Sequence, residues 1–254
     1  MKILALADLH VHRYVFHDLE IEIHDLISKY MPDVILIAGD LCENEGWRSI
    51  RSFLYESLDN LGIPIIFCLG NHDFYGYAVD DALKLTSKML KGKRNLCCLD
   101  TEGFIDIQDI RFVGNVLWYD GSLSFKPWDG KIIGGWRDSE IVDFDPIKEN
   151  HKCVEQIKTA MSGYKGKSVL LTHCVPWSEL NLFQKDGDNP YNVYSGMKDL
   201  FLSFDCCFDI AICGHTHRPI TTVYDKNGKH IQCINIGNDY YHHQHFLSCR
   251  TITI

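Results

Sequence analysis

Short apolar segments alternate with longer amphipathic segments along the first half of the chain, and this order restricts the possible folds most. The apolar segments, rich in Ile, Leu and Val, are residues 2–7, 34–38 and 63–69, and apolar residues recur at helical spacing in residues 16–30 and 47–61. Parallel strands need long crossover connections, which are usually helices. The order therefore predicts an α/β fold built on parallel strands.

The second half of the chain continues with strand and helix patterns. The same criteria predict antiparallel strands within residues 104–118, a helix at 148–161, and strands at 168–172 and 209–213. Asn227-Gly228 is a typical hairpin turn and lies between strand-like residues 220–225 and 230–236. Residues 119–146 are predicted to form a long loop, which is usually functional or mobile in a compact domain. Because no repeat or linker interrupts the chain, we expect one domain spanning residues 1–254.

Length and charge limit the classes of function. The 254 residues suit one large domain with a sizeable core, and the formal net charge of -9 argues against binding to nucleic acid or anionic membranes. The apolar start MKILALADLH is too short for a signal peptide, and no apolar run reaches the roughly 18 residues of a membrane span. These features predict a cytoplasmic protein that does not cross a membrane.

The 11 cysteines invite a disulfide or zinc interpretation, but their positions favour neither. Their number is odd, no C-x-x-C motif occurs, and Cys97-Cys98 and Cys206-Cys207 are adjacent pairs. Cys68, Cys213 and Cys233 lie inside strand-like apolar runs, where a free thiol behaves as a small hydrophobic group. We therefore expect reduced cysteines in the core.

Polar residues that can bind metal follow each of the five best strand candidates. These residues are Asp8 and His10, Asp40, then Asn71, His72 and Asp73, then His173, and finally His215 and His217. A single histidine is more often an ordinary surface or core residue than a metal ligand. In a parallel topology, however, all five groups fall at the same ends of their strands, where ligands bind. The pattern therefore predicts one shared site.

The residue types in this predicted site suit a particular class of metal. Carboxylates, imidazoles and one amide, without a thiolate, favour Mn, Fe or Zn. The set is too large for a single catalytic ion that keeps an open position, and it suits two divalent ions that share a carboxylate. Gly39, Gly70 and Gly214 each precede one of these residues, which indicates sharp turns or close backbone approach at the strand ends.

The ordered motifs closely resemble those of the calcineurin-like metallophosphoesterases. The family pattern is D-x-H, G-D, G-N-H-[DE], a single H and G-H-x-H, and the chain matches each part from residue 3 to about residue 240. The resemblance implies a four-layer α/β/β/α sandwich, in which two mixed β-sheets lie face to face with helices outside.

The same resemblance implies roles for individual residues. Two ligand sets and a bridging residue are implied: Asp8, His10 and His217 for one ion, Asn71, His173 and His215 for the other, and Asp40 between them. His72 corresponds to the histidine that faces the leaving-group oxygen, and Asp73 beside it is expected to orient or tune it. His215 and His217 would then reach different ions if the chain turns after Gly214.

The implied activity is metal-dependent hydrolysis of phosphomonoesters or phosphodiesters. Two ions can activate a bridging water as hydroxide for in-line attack and neutralise the phosphoryl oxygens. We expect a small phosphoester substrate, with nucleotides as one candidate class. The alternatives are a catalytically silent scaffold of the same fold and a nuclease, although the acidic charge argues against a polyanionic substrate.

Residues outside the motifs leave the substrate open. His12, Asn44 and Arg218 lie close enough in sequence to the motifs to contact substrate, but each has an ordinary alternative as a loop residue, a turn residue or a surface ion pair. Five aromatic residues in the loops can either stack a nucleobase or pack the loops: Trp118, Tyr119, Trp128, Trp136 and Trp177. The cluster of His242, His243 and His245 is interpreted as a surface patch.

Overall fold

A computed structural model describes residues 1–11, 16–42, 47–181, 189–205, 208–237 and 247–254, with the backbone alone described at 16–18 and 47–50. His12, Asn44 and the cluster of His242, His243 and His245 lie outside the described residues, so the expectations about them stay predictions.

The described residues form eleven strands and five α-helices. The strands are β1 (Lys2–Leu6), β2 (Val34–Ala38), β3 (Ile65–Cys68), β4 (Leu96–Cys98), β5 (Phe104–Ile107), β6 (Ile110–Asn115), β7 (Lys167–Thr172), β8 (Ile210–Cys213), β9 (Ile220–Lys226), β10 (Lys229–Asn235) and β11 (Cys249–Thr253). The helices are α1 (Phe16–Tyr30), α2 (Trp47–Asn60), α3 (Val79–Leu90), α4 (Leu99–Glu102) and α5 (Pro146–Met161).

The first sheet contains the predicted β-α-β-α-β unit. Its strand order is β11-β1-β2-β3-β4, with β1 to β4 parallel and β11 antiparallel to β1. Strands β1, β2 and β3 and helices α1 and α2 lie within one or two residues of their predicted ends. The carboxyl ends of β1, β2 and β3 therefore meet at one edge of this sheet.

The second sheet has the order β5-β6-β7-β8-β10-β9. Strands β6, β7, β8 and β10 run parallel, whereas β5 and β9 pair antiparallel with their neighbours. The predicted hairpin joins β9 to β10, and both Asn227 (φ 54°) and Gly228 (φ 72°) have the positive φ that this two-residue turn requires. Both sheets are therefore mixed, as the sequence resemblance implies.

Strands β2, β3 and β8 are buried on both faces, as are β1 and β7 after their first residue, which explains their nearly continuous apolar sequences. Alternate residues such as Ala5, Leu36, Phe112 and Ile212 form the cluster between the sheets. Residues of the opposite parity belong to a second cluster together with apolar residues of the helices: Leu4, Ile37, Phe67 and Val113 with Leu19, Leu58 and Ile157. The chain thus folds as an α/β sandwich with helices outside two sheets.

Helix α5 shows how local sequence sets an element boundary. Asp145 precedes the helix, and its side chain accepts a hydrogen bond from the N–H of Lys148 at 3.1 Å. Pro146 occupies the first turn, where its missing N–H costs nothing. The predicted helix at 148–161 therefore begins two residues earlier than expected.

Most cysteines of the described residues lie in the core, as the sequence predicts. The nine cysteines within the described residues are free thiols, and seven of them are buried. Among the described residues, the structure contains no helix with both the length and the apolar character of a membrane span.

Candidate metal centre

The seven predicted ligands come together between the two sheets. Asp8 and His10 follow β1, Asp40 follows β2, Asn71 begins a short 3-10 turn after β3, His173 follows β7, and His215 and His217 follow β8. The two sheets are joined directly here, because the backbone N–H of His215 donates to Asp8 Oδ1 at 3.0 Å. The His173 ring likewise contacts the Ala38 carbonyl at 2.9 Å.

The strand ends hold five of these residues in the left-handed region of φ. Positive φ values between 41° and 69° occur at Asp8, His10, Asp40, His215 and His217. This conformation is uncommon for residues other than glycine, and it persists only where the surrounding structure imposes it. Five such residues in one site indicate that strain is concentrated where the side chains must converge.

Two glycines allow the strand ends to approach each other. A Cβ atom on Gly70 would lie 2.1 Å from Asp40 Oδ1, and one on Gly39 would lie 2.3 Å from His173 Nδ1. Gly39 also has a φ of +79°, which disfavours any other residue. The expectation of close approach at these glycines is therefore confirmed by the geometry.

The first group of ligand atoms comprises Asp8, His10, Asp40 and His217. One ligand atom from each lies within 4.8 Å of all the others, and three of these residues are buried. His10 Nε2 is 3.5 Å from Asp40 Oδ2, and the rings of His10 and His217 stack with centroids 5.4 Å apart. Two carboxylates and two imidazoles at this spacing suit a borderline divalent ion.

The second group comprises Asn71, His173 and His215. Hydrogen bonds to the other polar atoms of the two histidines determine which ring nitrogen of each carries a free lone pair. The Ala38 carbonyl can only accept, so His173 Nδ1 carries the proton and Nε2 presents a lone pair. His215 Nε2 likewise donates to the Tyr194 carbonyl at 2.8 Å, which leaves a lone pair on Nδ1. Asn71 directs its Oδ1 toward His173 Nε2, 3.0 Å away.

Three electron-pair donors therefore face one another in the second group. His173 Nε2 is 3.0 Å from Asn71 Oδ1 and 3.2 Å from His215 Nδ1, and each of the three atoms is an acceptor in this arrangement. Converging acceptors repel unless a cation lies among them. Both groups of residues consequently fit the divalent ions that the sequence predicts.

Asp40 faces both groups with different oxygens. Its Oδ2 is 3.5 Å from His10 Nε2 in the first group, whereas its Oδ1 is 3.4 Å from His173 Nε2 in the second. Oδ1 also accepts the backbone N–H of His72 at 3.0 Å. This geometry supports the predicted bridging position of Asp40.

The surroundings of the site lower the pKa of Asp40 and His173 and raise the pKa of Asp8. Burial works to raise the pKa of Asp40, but the surrounding histidines, His173 and His72 foremost, outweigh burial and hold that pKa below its usual range. Burial, followed by the negative charge of Asp40, raises the pKa of Asp8 well above its usual range. Burial also lowers the pKa of His173 to about 4. A neutral imidazole is the form that binds metal.

His72 lies at the open side of the site. Its side chain is 15% exposed, and its Nε2 is 3.9 Å from Asp40 Oδ2. The ring packs edge-on against His10 at 4.6 Å and against Tyr75 at 4.7 Å. The ring therefore borders the first group and is partly exposed, and its predicted position facing the leaving group stays a prediction.

Asp73 contacts Arg51 and three backbone N–H groups, and its predicted orienting effect on His72 stays a prediction. Arg51 donates to Asp73 Oδ1 at 2.6 Å, and both side chains are fully buried. The carboxylate also accepts backbone N–H groups from Leu41, Cys42 and Gly70. Asp73 therefore ties the turn after Asp40 to the turn before Asn71, a long-range link with no local sequence signal.

The aromatic residues mostly pack the loops. Trp118 and Tyr119 are fully buried, so neither stacks a nucleobase. Trp136 stacks on Tyr194 at 4.9 Å and on Tyr191 at 5.1 Å. The remaining two, Trp128 and Trp177, contact Tyr194 and Tyr224. Arg218 is exposed beside His217, and its predicted substrate contact stays a prediction.

Comparison with solved structures supports the architecture. A phosphopantetheinyl hydrolase from Mycobacterium tuberculosis is 16% identical with a TM-score of 0.67, covering 99% of this chain and 95% of its own. A dimetal phosphatase from Danio rerio is 12% identical with a TM-score of 0.52, covering 94% and 88%. A protein of Thermus thermophilus is 11% identical with a TM-score of 0.56, covering 93% and 89%. At such low identity these likenesses show the fold alone.

No curated protein matches the sequence. The family model described as calcineurin-like phosphoesterase, by contrast, matches residues 1–219. This range is most of the chain and includes all seven predicted ligands as well as His72 and Asp73. The chain belongs to the calcineurin-like phosphoesterase family, which uses divalent metal ions.

Proposed function

We propose that the chain hydrolyses phosphomonoester or phosphodiester bonds of a small substrate at a centre of two divalent ions. Asp8, His10 and His217 would hold one ion, Asn71, His173 and His215 would hold the other, and Asp40 would bridge them. The single observation that carries this proposal is the pair of converging ligand groups that share the two oxygens of Asp40.

The bound ions would supply an acidified water as nucleophile and positive charge for the phosphoryl oxygens. The residue types favour Mn, Fe or Zn. The chain itself contributes rigidity, because the Arg51–Asp73 pair and the three backbone N–H groups on Asp73 hold two ligand turns together. Fixed ligand positions lower the cost of reorganisation during the reaction.

His72 is proposed as the residue that assists departure of the leaving group. Its ring is partly exposed and lies beside the first ligand group, 3.9 Å from Asp40 Oδ2. From this position a protonated imidazole can donate to the departing oxygen or stabilise negative charge on the phosphoryl group.

The substrate is proposed to be small, and nucleotides are one class to test. The net charge of -9 disfavours a long polyanion. A phosphopantetheinyl hydrolase and a dimetal phosphatase share the fold, so a phosphopantetheine ester also belongs among the candidates.

A substrate panel tests the proposal. Metal-stripped protein reloaded with Mn, Zn, Ni or Mg would be assayed with phosphomonoesters, diesters, 2′,3′- and 3′,5′-cyclic nucleotides and an oligonucleotide. Asp40→Asn, purified identically, controls for contaminating phosphatases. We expect hydrolysis of a small ester by the parent protein alone. Tight metal loading without turnover of any ester would favour the scaffold alternative, and turnover of the oligonucleotide alone would favour a nuclease.

A further inference from the structure

The long loop between β6 and α5 places a buried carboxylate behind the second ligand group. Asp138 is fully buried and lies in the short 3-10 turn Arg137–Glu140. Its Oδ1 accepts from Asn71 Nδ2 at 2.8 Å and from the Tyr75 hydroxyl at 3.0 Å. Its Oδ2 accepts from the Tyr119 hydroxyl at 2.8 Å and from Trp136 Nε1 at 3.0 Å.

These contacts determine which end of the Asn71 amide faces the histidines. Both hydrogens of Asn71 Nδ2 are used, one toward Asp138 and one toward the Tyr75 hydroxyl at 2.8 Å. The Tyr75 hydroxyl in turn donates to Asp138, so the three groups form a closed ring of hydrogen bonds. A reversed amide would set Asn71 Oδ1 against the carboxylate. The amide oxygen is therefore fixed toward His173 Nε2.

The negative charge of Asp138 polarises the groups that donate hydrogen bonds to it. Its four described hydrogen-bond donors are neutral: one amide, two phenols and one indole. A buried carboxylate that accepts hydrogen bonds from neutral donors polarises each of these donors. Burial, followed by the negative charge of Asp138, raises the pKa of Tyr119 well above its usual range. Polarisation of the Asn71 amide places more negative charge on Oδ1, which faces the second group.

We propose that Asp138 is a positioning residue for metal binding, which acts through Asn71 as a carboxylate–amide–cation relay. The relay corresponds chemically to the carboxylates that orient metal-binding histidines. It rests on the proposed function only in that Asn71 must hold a cation. The relay also assigns a function to the long loop, because Asp138 and two of its hydrogen-bond donors, Tyr119 and Trp136, belong to this loop.

The test measures Mn²⁺ binding to metal-stripped protein by calorimetric titration. The parent protein should bind two ions, and Asp138→Asn should bind one of them about 10–100-fold more weakly, the usual effect of removing an outer-shell partner. Asp129→Asn is the matched control, since it makes the same chemical change at an exposed residue of the same loop. The control should bind both ions with unchanged affinity.

Exchanging the two residues separates positioning from a merely structural role. Asn71→Asp would place two carboxylates in contact, so it should weaken the same ion although carboxylates bind Mn²⁺ well. The swapped double variant, N71D with D138N, restores an amide donor between the residues and should recover affinity relative to both single variants. If Asp138→Asn does not fold, the loss in Asn71→Asp still carries the test.

Several results would overturn the relay. These are unchanged affinity for both ions in Asp138→Asn, equal weakening of both ions, or undiminished binding in Asn71→Asp. The relay and the proposed function can fail separately. An active parent enzyme with normal binding in Asp138→Asn removes the relay alone. The expected binding pattern without hydrolysis of any ester removes the function and leaves the relay.

Discussion

At the scale of single residues, His72 and Asp40 lie next to each other, but we expect Asp40 to affect ion binding and His72 to affect turnover. Asp40 is buried and faces both ligand groups, whereas the His72 ring is partly exposed at the edge of the first group. A residue that binds the ions controls their occupancy, and a residue that meets only substrate controls turnover. The two effects can be measured separately.

His72→Ala should lower kcat by about 10²–10⁴-fold, the usual worth of general-acid assistance. Metal content should stay at the parent level, because no ligand is removed. His24→Ala, at an exposed position of α1, is the matched control and should leave both quantities unchanged. Steady-state kinetics and metal analysis of the same preparations check this prediction, and full turnover in His72→Ala would remove the residue from the mechanism.

His173 should make the stability of the metal-free protein depend on pH. The pKa of His173 is lowered from 6.5 to about 4 by burial. The unfolded chain therefore takes up the proton first, so this contribution to stability is present above pH 6.5 and is lost as the pH falls toward 4. At about 1.4 kcal/mol per pKa unit the loss is about 3 kcal/mol.

Urea unfolding between pH 4 and 7 in the presence of chelator measures this loss. Other buried groups titrate in both proteins, so the difference between the parent and His173→Gln isolates the histidine. The two stabilities should approach each other as the pH falls. A difference that does not change with pH would show that His173 takes up its proton equally in both states.

At the scale of elements, the site depends on turns that end the strands abruptly. Gly70 follows β3 after Leu69, and its Cα lies so close to the turn after β2 that a Cβ would meet Asp40 Oδ1 at 2.1 Å and Asp40 N at 2.3 Å. Because backbone is among the clashing atoms, no rotamer change relieves the contact. The two turns can be adjacent only if this residue has no side chain.

Gly70→Ala should therefore displace Asp40 and weaken the binding of both ions by about 10–100-fold, with overpacking costing about 1–3 kcal/mol of stability. Gly134→Ala is the matched control, because a Cβ there meets nothing within 4 Å and the residue has no positive φ. Metal titration and urea unfolding of both variants check the prediction. Parent-like affinity in Gly70→Ala would show that the two turns can separate without loss.

At the scale of the whole molecule, the site exists because the carboxyl ends of parallel strands in two sheets face one another. The hydrogen bond from His215 N to Asp8 Oδ1 and the contact of His173 with the Ala38 carbonyl cross between the sheets. Folding therefore brings together residues separated by more than 200 positions in the chain. The ligand groups should form only when both sheets are in place.

The sequence predicts those parts of the fold that have strong periodicity. Buried parallel strands and amphipathic helices leave clear patterns, and the turn residues after them mark the ligands. Helix α3, strand β4 and strand β11 are not predicted. Strand β4 has only three residues, and β11 has one buried apolar residue, Ile252. The pairing of β11 with β1 is therefore set by tertiary packing. These elements form because of the surfaces they cover.

The residues that hold the ligands in place, Arg51 and Asp138, are not predicted from the sequence, because their partners are distant in the chain. Arg51 and Asp138 act through contacts with residues 22 and 67 positions away. The helical spacing of residues 47–61 predicts α2 but not which carboxylate Arg51 meets, and Asp138 lies outside any periodic segment. The one available hint is that a buried ligand such as Asn71 needs an acceptor for its NH₂ group. That need indicates a partner without identifying it.

The most direct test of the two-ion centre is a titration of metal-stripped protein with Mn²⁺, in which bound ions per chain and the rate of phosphoester hydrolysis are measured together. If both ligand groups hold an ion during the reaction, hydrolysis should reach its maximum only when two ions are bound per chain. Maximal hydrolysis at one bound ion, or two bound ions with no hydrolysis of any ester, would contradict this prediction.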